Sequence, residues 1–198
     1  MRKFRVVLIV AVLAMMLSVT AIGWAGQSGL GCDGKNARPS AAVVVINNAK
    51  TTFDDEMTRK VTDAIMDRLA EHYNVALPSA FTDKFAKAGI VDLAVAEKED
   101  IAKVLRSDGI RYVVFAEIEP FVRKERVGLL HYGLDFTAVV PFRITDLCKN
   151  QNLYIGKFVE QSRDSTLIGF GIKNRGVALE ALDKAIAQMD EALRRHMP

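Results

Sequence analysis

The stretch Ile101-Ala-Lys-Val-Leu-Arg-Ser-Asp-Gly-Ile-Arg-Tyr-Val-Val-Phe-Ala-Glu-Ile118 decides the fold, because it sets a helix, a glycine stop and a buried strand in direct succession. Its apolar spacing predicts a helix over 97–107 that turns one face inward. Gly109 follows the end of this helix, where glycine is favoured as a stop. The apolar, β-branched run at 112–118 is typical of a strand that is buried on both faces.

A second buried strand and a long helix precede this unit. The run Ala-Ala-Val-Val-Val-Ile at 41–46 has the character of another central strand. Residues 54–73 predict a helix, because large apolar residues recur every four positions and three acidic residues open it, where negative charge suits the helix dipole. A short strand near 75–77 and a short helix over 79–88 complete the first half.

The second half of the chain loses helical periodicity, and β-branched and aromatic residues dominate it, which predicts an antiparallel meander. The predicted strands cover 121–127, 134–145 and 153–161, with turns at 128–133 and 146–152. A glycine-bearing loop at 165–173 then leads to a final helix, for which Asn174 is the predicted cap. This order predicts an α+β fold, in which a mixed β-sheet has helices packed mainly on one face and an antiparallel meander in the second half.

Residues 1–25 have the layout of a bacterial-type secretory signal peptide. A basic start precedes an unbroken apolar run at 6–17, and Gly23-Trp24-Ala25 fits the small-x-small pattern before a cleavage point. The segment predicts a periplasmic or secreted protein with a lead-in at 26–40 and a single domain at 41–196. The alternative is that an uncleaved N-terminal segment holds the protein at the membrane.

The charge of the mature chain is balanced. The whole sequence carries 27 Lys and Arg against 24 Asp and Glu, and three of the basic residues (Arg2, Lys3 and Arg5) lie in the predicted signal peptide, so cleavage leaves 24 of each sign. Sequence-independent attraction to nucleic acid rests on a surplus of basic residues. We therefore expect no nucleic-acid partner. We also expect no stable membrane insertion once the signal peptide is cleaved.

Cys32 and Cys148 are the two cysteines. An even number in an exported chain predicts one disulfide, which would close a loop of more than 100 residues. The chain-entropy model assigns such a loop roughly 4 to 5 kcal/mol. Two free thiols are the alternative, and neither cysteine has the spacing of a zinc ligand. Lipidation at Cys32 is disfavoured, because Gly29 stands where an aliphatic residue is expected.

The sequence shows no clear catalytic, metal or cofactor motif. Residues 29–35 match G-x-x-x-x-G-K, but no strand precedes them and Asn36 stands where Ser or Thr should bind magnesium. The three histidines lie at no metal-ligand spacing, and the G-x-S-x-G signature is absent. Backbone N–H groups near Gly169, Gly171 and Asn174 could hold an anion, whereas the ordinary explanation of these glycines is a loop that needs positive φ.

The predicted turn at 128–133 holds the main surface candidate. Leu129, Leu130, His131 and Tyr132 would lie at the tip of a hairpin, where large apolar groups mark a partner-binding site. The alternative is that the tip folds back and buries them on the domain. The charged run at 123–126 predicts a solvated face, or protection of an edge strand against aggregation.

Three segments together resemble a known group of envelope domains. Val-Val-Val-Ile-Asn-Asn at 43–48 precedes the acidic helix start, the unit at 101–118 follows, and Phe-Arg-Ile-Thr-Asp-Leu at 142–147 ends a strand before a turn. This pattern resembles the periplasmic α/β domain shared by the curli-secretion lipoprotein family (CsgG), penicillin-binding-protein activator lipoproteins and the TolB N-terminal domain. The resemblance implies a non-enzymatic envelope protein that works through protein contacts.

The chain departs from these families in two respects. Their members are often lipidated, whereas this sequence lacks a good lipidation motif. The curli channel forms its pore from membrane-inserted strands, whereas the charges of the meander argue against a lipid-facing band. We therefore expect an assembly or adaptor module that binds another envelope protein or itself. Small-ligand binding at the anion-binding loop and an unrecognised hydrolase are the alternatives.

Overall fold

The computed structural model describes residues 38–167 and 173–197. Within these ranges the chain forms one mixed six-stranded sheet with four α-helices. The strands are β1 (Ser40–Asn47), β2 (Asn74–Ala76), β3 (Tyr112–Ile118), β4 (Val122–Val127), β5 (His131–Asp146) and β6 (Gln151–Leu167). The helices are α1 (Asp54–Ala70), α2 (Thr82–Lys87, after a 3-10 turn at Pro78–Phe81), α3 (Lys98–Ser107) and α4 (Asn174–His196). The predicted α+β fold is confirmed.

The sheet is parallel in its first half and antiparallel in its second. β1 lies between β2 and β3 and runs parallel to both. β5 runs antiparallel to β3, β4 and β6. β3 and β4 lie end to end along one edge of β5, because β3 pairs with Phe142–Asp146 and β4 pairs with Tyr132–Thr137. β6 follows the other edge of β5 along its whole length.

Helices α1 and α4 cover one face of the sheet. The stripe that the sequence predicts for α1 is confirmed, because Met57, Val61, Ile65 and Leu69 are all buried. They share one core cluster with α4 and with alternate residues of the central strands, such as Val43, Val114, Val140 and Phe142. Alternation along the strands places the remaining residues on the other face.

Ion pairs join α1 to α4 at the rim of this core. Arg68 pairs with Asp190, with Nη2 3.1 Å from Oδ2, and Lys60 pairs with Asp183 at 2.7 Å. Hydrogen bonding to Arg68, together with Arg194 one turn further along α4, lowers the pKa of Asp190 below its ordinary value. The pairs therefore add to the buried apolar contacts that hold the two long helices against the same core.

The opposite face is covered only over the parallel strands. Phe81, Phe85, Ile101 and Leu105 from the short helical segments pack there against alternate residues of β1 and β3. Beyond β3, the same face of the sheet is open, and Ile155 of β6 is 62% exposed. The helices therefore pack mainly on one face, as the sequence predicts. Among the helices described, none combines the length and apolar character needed to cross a membrane.

The predicted bounds agree for the central elements and fail at the ends of the second half. β3 has the predicted bounds, and Gly109 beside it adopts a φ of +79°, which favours glycine. β6 continues past its predicted end at 161, because it stays paired with β5 as far as Leu167. The loop predicted at 165–173 is thus a strand over its first three residues, and 168–172 lie outside the described residues.

The predicted cap of α4 is wrong. Lys173, not Asn174, is the residue before the first helical turn, and it makes no side-chain capping bond. The carbonyl of Lys173 already accepts the N–H groups of Gly176 and Val177, so the helix starts one residue earlier than Asn174 would set it. The predicted signal peptide and most of the lead-in lie outside the described residues.

Candidate partner-binding site

The hairpin of β4 and β5 extends the sheet as a three-stranded arm, which we define as residues 122–138 and 160–167. In this arm, β4 pairs with the first half of β5, and the second half of β6 pairs with the other edge of β5. All six residues of β4 are exposed, and no strand in the described ranges pairs with its outer edge. The predicted solvated, charged edge strand is therefore found in the structure.

One face of the arm packs against the start of α4. Leu134 and Phe136 of β5 form a small cluster with Val177 and Ala178 of the helix. The ring of Phe121 closes this cluster edge-on to Phe136, with 6.0 Å between ring centroids. The arm therefore has a core of its own, which holds the hairpin in place relative to the domain.

The other face of the arm carries a buried carboxylate between two arginines. Asp135 is only 4% exposed, and its Oδ1 accepts hydrogen bonds from Arg126 Nη2 and Nε at 2.9 and 3.2 Å. Arg163, which lies directly opposite on β6, brings Nε to 3.7 Å from Oδ2. Gly133 lies beside this cluster, and a Cβ there would lie 3.3 Å from the Arg126 guanidinium, a tight contact that a small shift of the arginine would relieve. Charge pairing across three strands thus supports the register of the arm.

The tip of the arm exposes its leucines. Leu129 is 93% exposed and Leu130 is 65% exposed, and Val127 beside them is 76% exposed. The Gly128 N–H donates to the His131 carbonyl at 2.8 Å and closes the hairpin. His131 is exposed and Tyr132 is half-buried. The two leucines are therefore exposed, as the first alternative predicts, whereas Tyr132 packs against the cluster of Leu134 and Phe136.

The predicted site residues fall into three separate groups. Leu129, Leu130, His131 and Tyr132 come together at the tip, whereas Asn174 is an exposed residue at the start of α4. Gly169 and Gly171 of the predicted anion site lie outside the described residues. Cys148 lies in the turn between β5 and β6. Its predicted partner Cys32 also lies outside the described residues, so the disulfide stays a prediction.

A shallow groove lies beside the N-terminus of α1, and two of its charged groups, Glu56 and Arg175, pair with each other. The groove has a volume of about 400 Å³ and is lined by Thr52, Phe53, Asp55, Glu56, Arg59 and Arg175. Arg175 donates two hydrogen bonds to the Glu56 carboxylate, at 2.7 and 2.8 Å. Within residues 38–167 and 173–197, no cluster of His, Cys, Asp and Glu has the geometry of a metal site. The groove has no evident catalytic group.

Sequence reasoning missed the cluster around Asp135. The signal available was a single acidic residue between Leu134 and Phe136 in a strand with a buried face. Such a pattern shows that the carboxylate lies on the opposite face from the two apolar residues. It does not show that Arg126 and Arg163 meet there, because that depends on the register of two other strands.

Comparison with known proteins gives partial likenesses of fold. No protein-family profile matches the sequence, and neither does any curated protein. Among solved structures, lipoprotein GNA1162 from Neisseria meningitidis is similar at 17% identity and a TM-score of 0.45, over 77% of this chain and 99% of that one. The LpoB C-terminal domain from Salmonella enterica is similar at 14% identity and a TM-score of 0.41, over 64% and 85%. A minor lipoprotein from Acinetobacter baumannii is similar at 9% identity and a TM-score of 0.39, over 80% and 94%.

Such low identities and TM-scores describe a shared outline of the fold, from which neither family nor function follows. Two of these three proteins are described as lipoproteins. The narrower resemblances to the curli-secretion family, to penicillin-binding-protein activators and to the TolB domain stay predictions.

Proposed function

We propose that this protein is a non-enzymatic module of the bacterial cell envelope that binds another protein through the tip of its arm. The observation that carries the proposal is the exposure of Leu129 and Leu130, at 93% and 65%, at the end of a well-supported hairpin. The cluster of Leu134 and Phe136 on α4 holds the arm, so the tip presents its leucines on a positioned support.

The chemistry of turns does not account for the two leucines. Neither Leu129 nor Leu130 has the positive φ for which hairpin turns favour glycine, asparagine and aspartate, so the turn accepts most residue types at these positions. Such a turn gives leucine no advantage over polar residues, whereas adjacent exposed apolar side chains are an aggregation hazard on a secreted protein. A contact with an apolar surface of a partner explains why both positions carry leucine.

The compartment forms part of the same proposal. The layout of residues 1–25 supports export, which places the protein in the periplasm or outside the cell, or at the membrane if the segment is not cleaved.

The position of Cys148 in the fold supports its pairing with Cys32. The turn that holds Cys148 lies beside the start of β1, because Arg111 bonds both to Leu147 and to Ser40. About eight residues separate Cys32 from Ser40, and such a length spans up to roughly 27 Å.

Co-purification from cells tests the proposal. We expect the tagged wild-type protein to retain an envelope protein that the Leu129→Asp/Leu130→Asp variant loses, because two charges at the tip prevent an apolar contact. Val91→Asp/Val95→Asp is the matched control, since these valines are 96% and 82% exposed in the loop before α3. Circular dichroism must show both variants folded. Loss of the retained protein in both variants, or in neither, would overturn the tip as the binding site.

A further inference from the structure

At its odd-numbered residues, β6 points its backbone N–H and C=O groups away from β5, toward the free edge of the sheet. The Glu119 N–H donates to the Val139 carbonyl at 3.0 Å, so odd-numbered residues of β5 point their backbone groups toward β3 and β4. Backbone direction alternates along a strand, so even-numbered residues of β5 point toward β6. The register pairs these with even-numbered residues of β6, such as Val140 with Phe158. The odd-numbered residues of β6 therefore face outward.

This outer edge is open only over a short window. On one side of the window, the Lys184 ammonium donates to the Gln161 carbonyl at 3.1 Å and covers the edge there. On the other side, a bulge opposite Ile144 and Thr145 interrupts the regular alternation at Leu153. Between these limits, no hydrogen bond from another described residue reaches the outward groups of Ile155, Lys157 and Val159. We call residues 153–159 the open window.

The open window has less protection than the other exposed edge strand, because Lys157 and the bulge at its end are its only guards. Charged residues normally guard such an edge against pairing with another chain. The exposed edge strand β4 has them, with four consecutive charged residues at 123–126. The open window has a single charged residue, Lys157, between Ile155 and Val159, which are 62% and 54% exposed. Its composition therefore favours pairing with another strand.

We propose that the open window pairs with the open window of a second copy of this chain, antiparallel, about a two-fold axis at Gly156. The axis places Ile155 opposite Lys157 of the second copy on both sides of Gly156. The outward groups of these residues then bond each other, and Val159 faces Leu153 of the second copy. The lysine stem covers the isoleucine while the ammonium group stays in water.

Charge and existing hydrogen bonds exclude the registers shifted toward the C-terminal end of the window. An axis at Lys157 would oppose two ammonium groups directly. An axis at Phe158 would pair Ile155 with Gln161, whose carbonyl is already bonded to Lys184. The axis at Gly156 avoids both conflicts, and it puts glycine where two antiparallel strands approach to about 4.5 Å between Cα atoms. The ring of Tyr154 lies over Gly156 on the α4 face, so that side is already filled.

The dimer would leave the arm free. The open window pairs with the second half of β5, whereas the tip lies at the first residues of β5. Pairing through the window therefore adds self-association to the protein without using the surface proposed for the envelope partner. An experiment that overturns the dimer at the open window therefore leaves the proposed partner site at the tip untouched, and the reverse also holds.

Mixed disulfide formation tests the register. The full chain is expressed as Ile155→Cys and as Lys157→Cys, each with a different tag, and both are purified from the cell envelope in mild detergent. Directly opposite residues of a bonded pair lie about 5.5 Å apart between Cα atoms, within disulfide range. We expect a new cross-linked dimer, absent from the wild type, when the two variants are mixed and oxidised. Neither variant alone should give it, because identical positions then lie beyond that range.

Every outcome of the mixing experiment decides the proposal. A dimer from Lys157→Cys alone, or from Ile155→Cys alone, would overturn the axis at Gly156. No new dimer in the mixture would overturn the pairing. The same result is expected if another segment of the same chain covers the edge.

Sedimentation of the full chain measures its oligomeric state independently of cross-linking. We expect Ile155→Lys to convert the dimer to monomer, because it opposes two lysines at each pair. Val122→Lys is the matched control, since Val122 is 60% exposed on β4, and this variant should keep the dimer. A wild-type protein that stays monomeric at high concentration would contradict the proposal.

Discussion

Three leucines of the arm should respond very differently to the same substitution. Leu134 is fully buried against Phe136 and α4, whereas Leu129 and Leu130 are 93% and 65% exposed. Truncation of a buried leucine to alanine costs about 2 to 5 kcal/mol. The cluster around Leu134 is small and lies near the surface, where neighbours can relax, so we expect roughly 2 to 3 kcal/mol for Leu134→Ala.

The exposed leucines should cost almost nothing. Burial of a whole leucine side chain is worth about 1.5 to 3 kcal/mol, and a side chain that stays mostly in water forfeits little of this when it is shortened. We expect Leu129→Ala and Leu130→Ala each to change the free energy of unfolding by less than about 0.5 kcal/mol.

Urea unfolding followed by circular dichroism measures all three variants under the same conditions. A loss of more than about 1.5 kcal/mol for either tip variant would refute the exposed tip, because surface substitutions do not cost so much. A loss of under about 1 kcal/mol for Leu134→Ala would refute the packing of the arm on α4.

Three further measurements test the fold. Gly156→Ala should lower the free energy of unfolding by about 1 to 3 kcal/mol, because its Cβ would come within 2.7 Å of the Tyr154 ring, and urea unfolding would show no change if that ring were mobile. Asp190→Asn should destabilise the protein above about pH 5, because pairing with Arg68 lowers the pKa of the native carboxyl and stabilises only its ionised form. The difference in stability between variant and wild type should disappear as the pH falls below about 4. A difference that does not depend on pH would contradict the pairing. Cys148→Ser should cost up to roughly 4 to 5 kcal/mol if a disulfide is present, and equal stability with and without reductant would indicate free thiols.

The parallel half of the fold follows from the sequence because its elements are buried in simple patterns. The four-residue spacing in α1 matches a helix that covers one face of the sheet. The residues at that spacing are buried as predicted: Met57, Val61, Ile65 and Leu69. β3 is apolar from Val113 to Ala116 because helices cover both of its faces there. In such elements each residue's environment is set by its own chain neighbours, so local pattern is sufficient.

The antiparallel half depends on pairing that local pattern does not show. The end of β6, Ser-Arg-Asp-Ser-Thr at 162–166, is polar enough to indicate a loop, yet hydrogen bonds to β5 keep it a strand. The same register brings Arg163 to Asp135, which no property of either segment predicts. The sequence predicted a turn at 128–133, but β5 already begins at His131, so only 128–130 join the two strands. Whether Leu129 is buried depends on the direction of the arm, which the packing of Leu134 and Phe136 on α4 sets.

Photo-crosslinking in intact cells tests the central claim most directly. A photoreactive residue placed at Leu129 should give a discrete cross-linked band with one envelope protein, identified by mass spectrometry. The same residue at Val91 should not, although Val91 is exposed to the same degree. A band of equal strength from both positions, or none from Leu129, would contradict the account that the tip of the arm binds a partner.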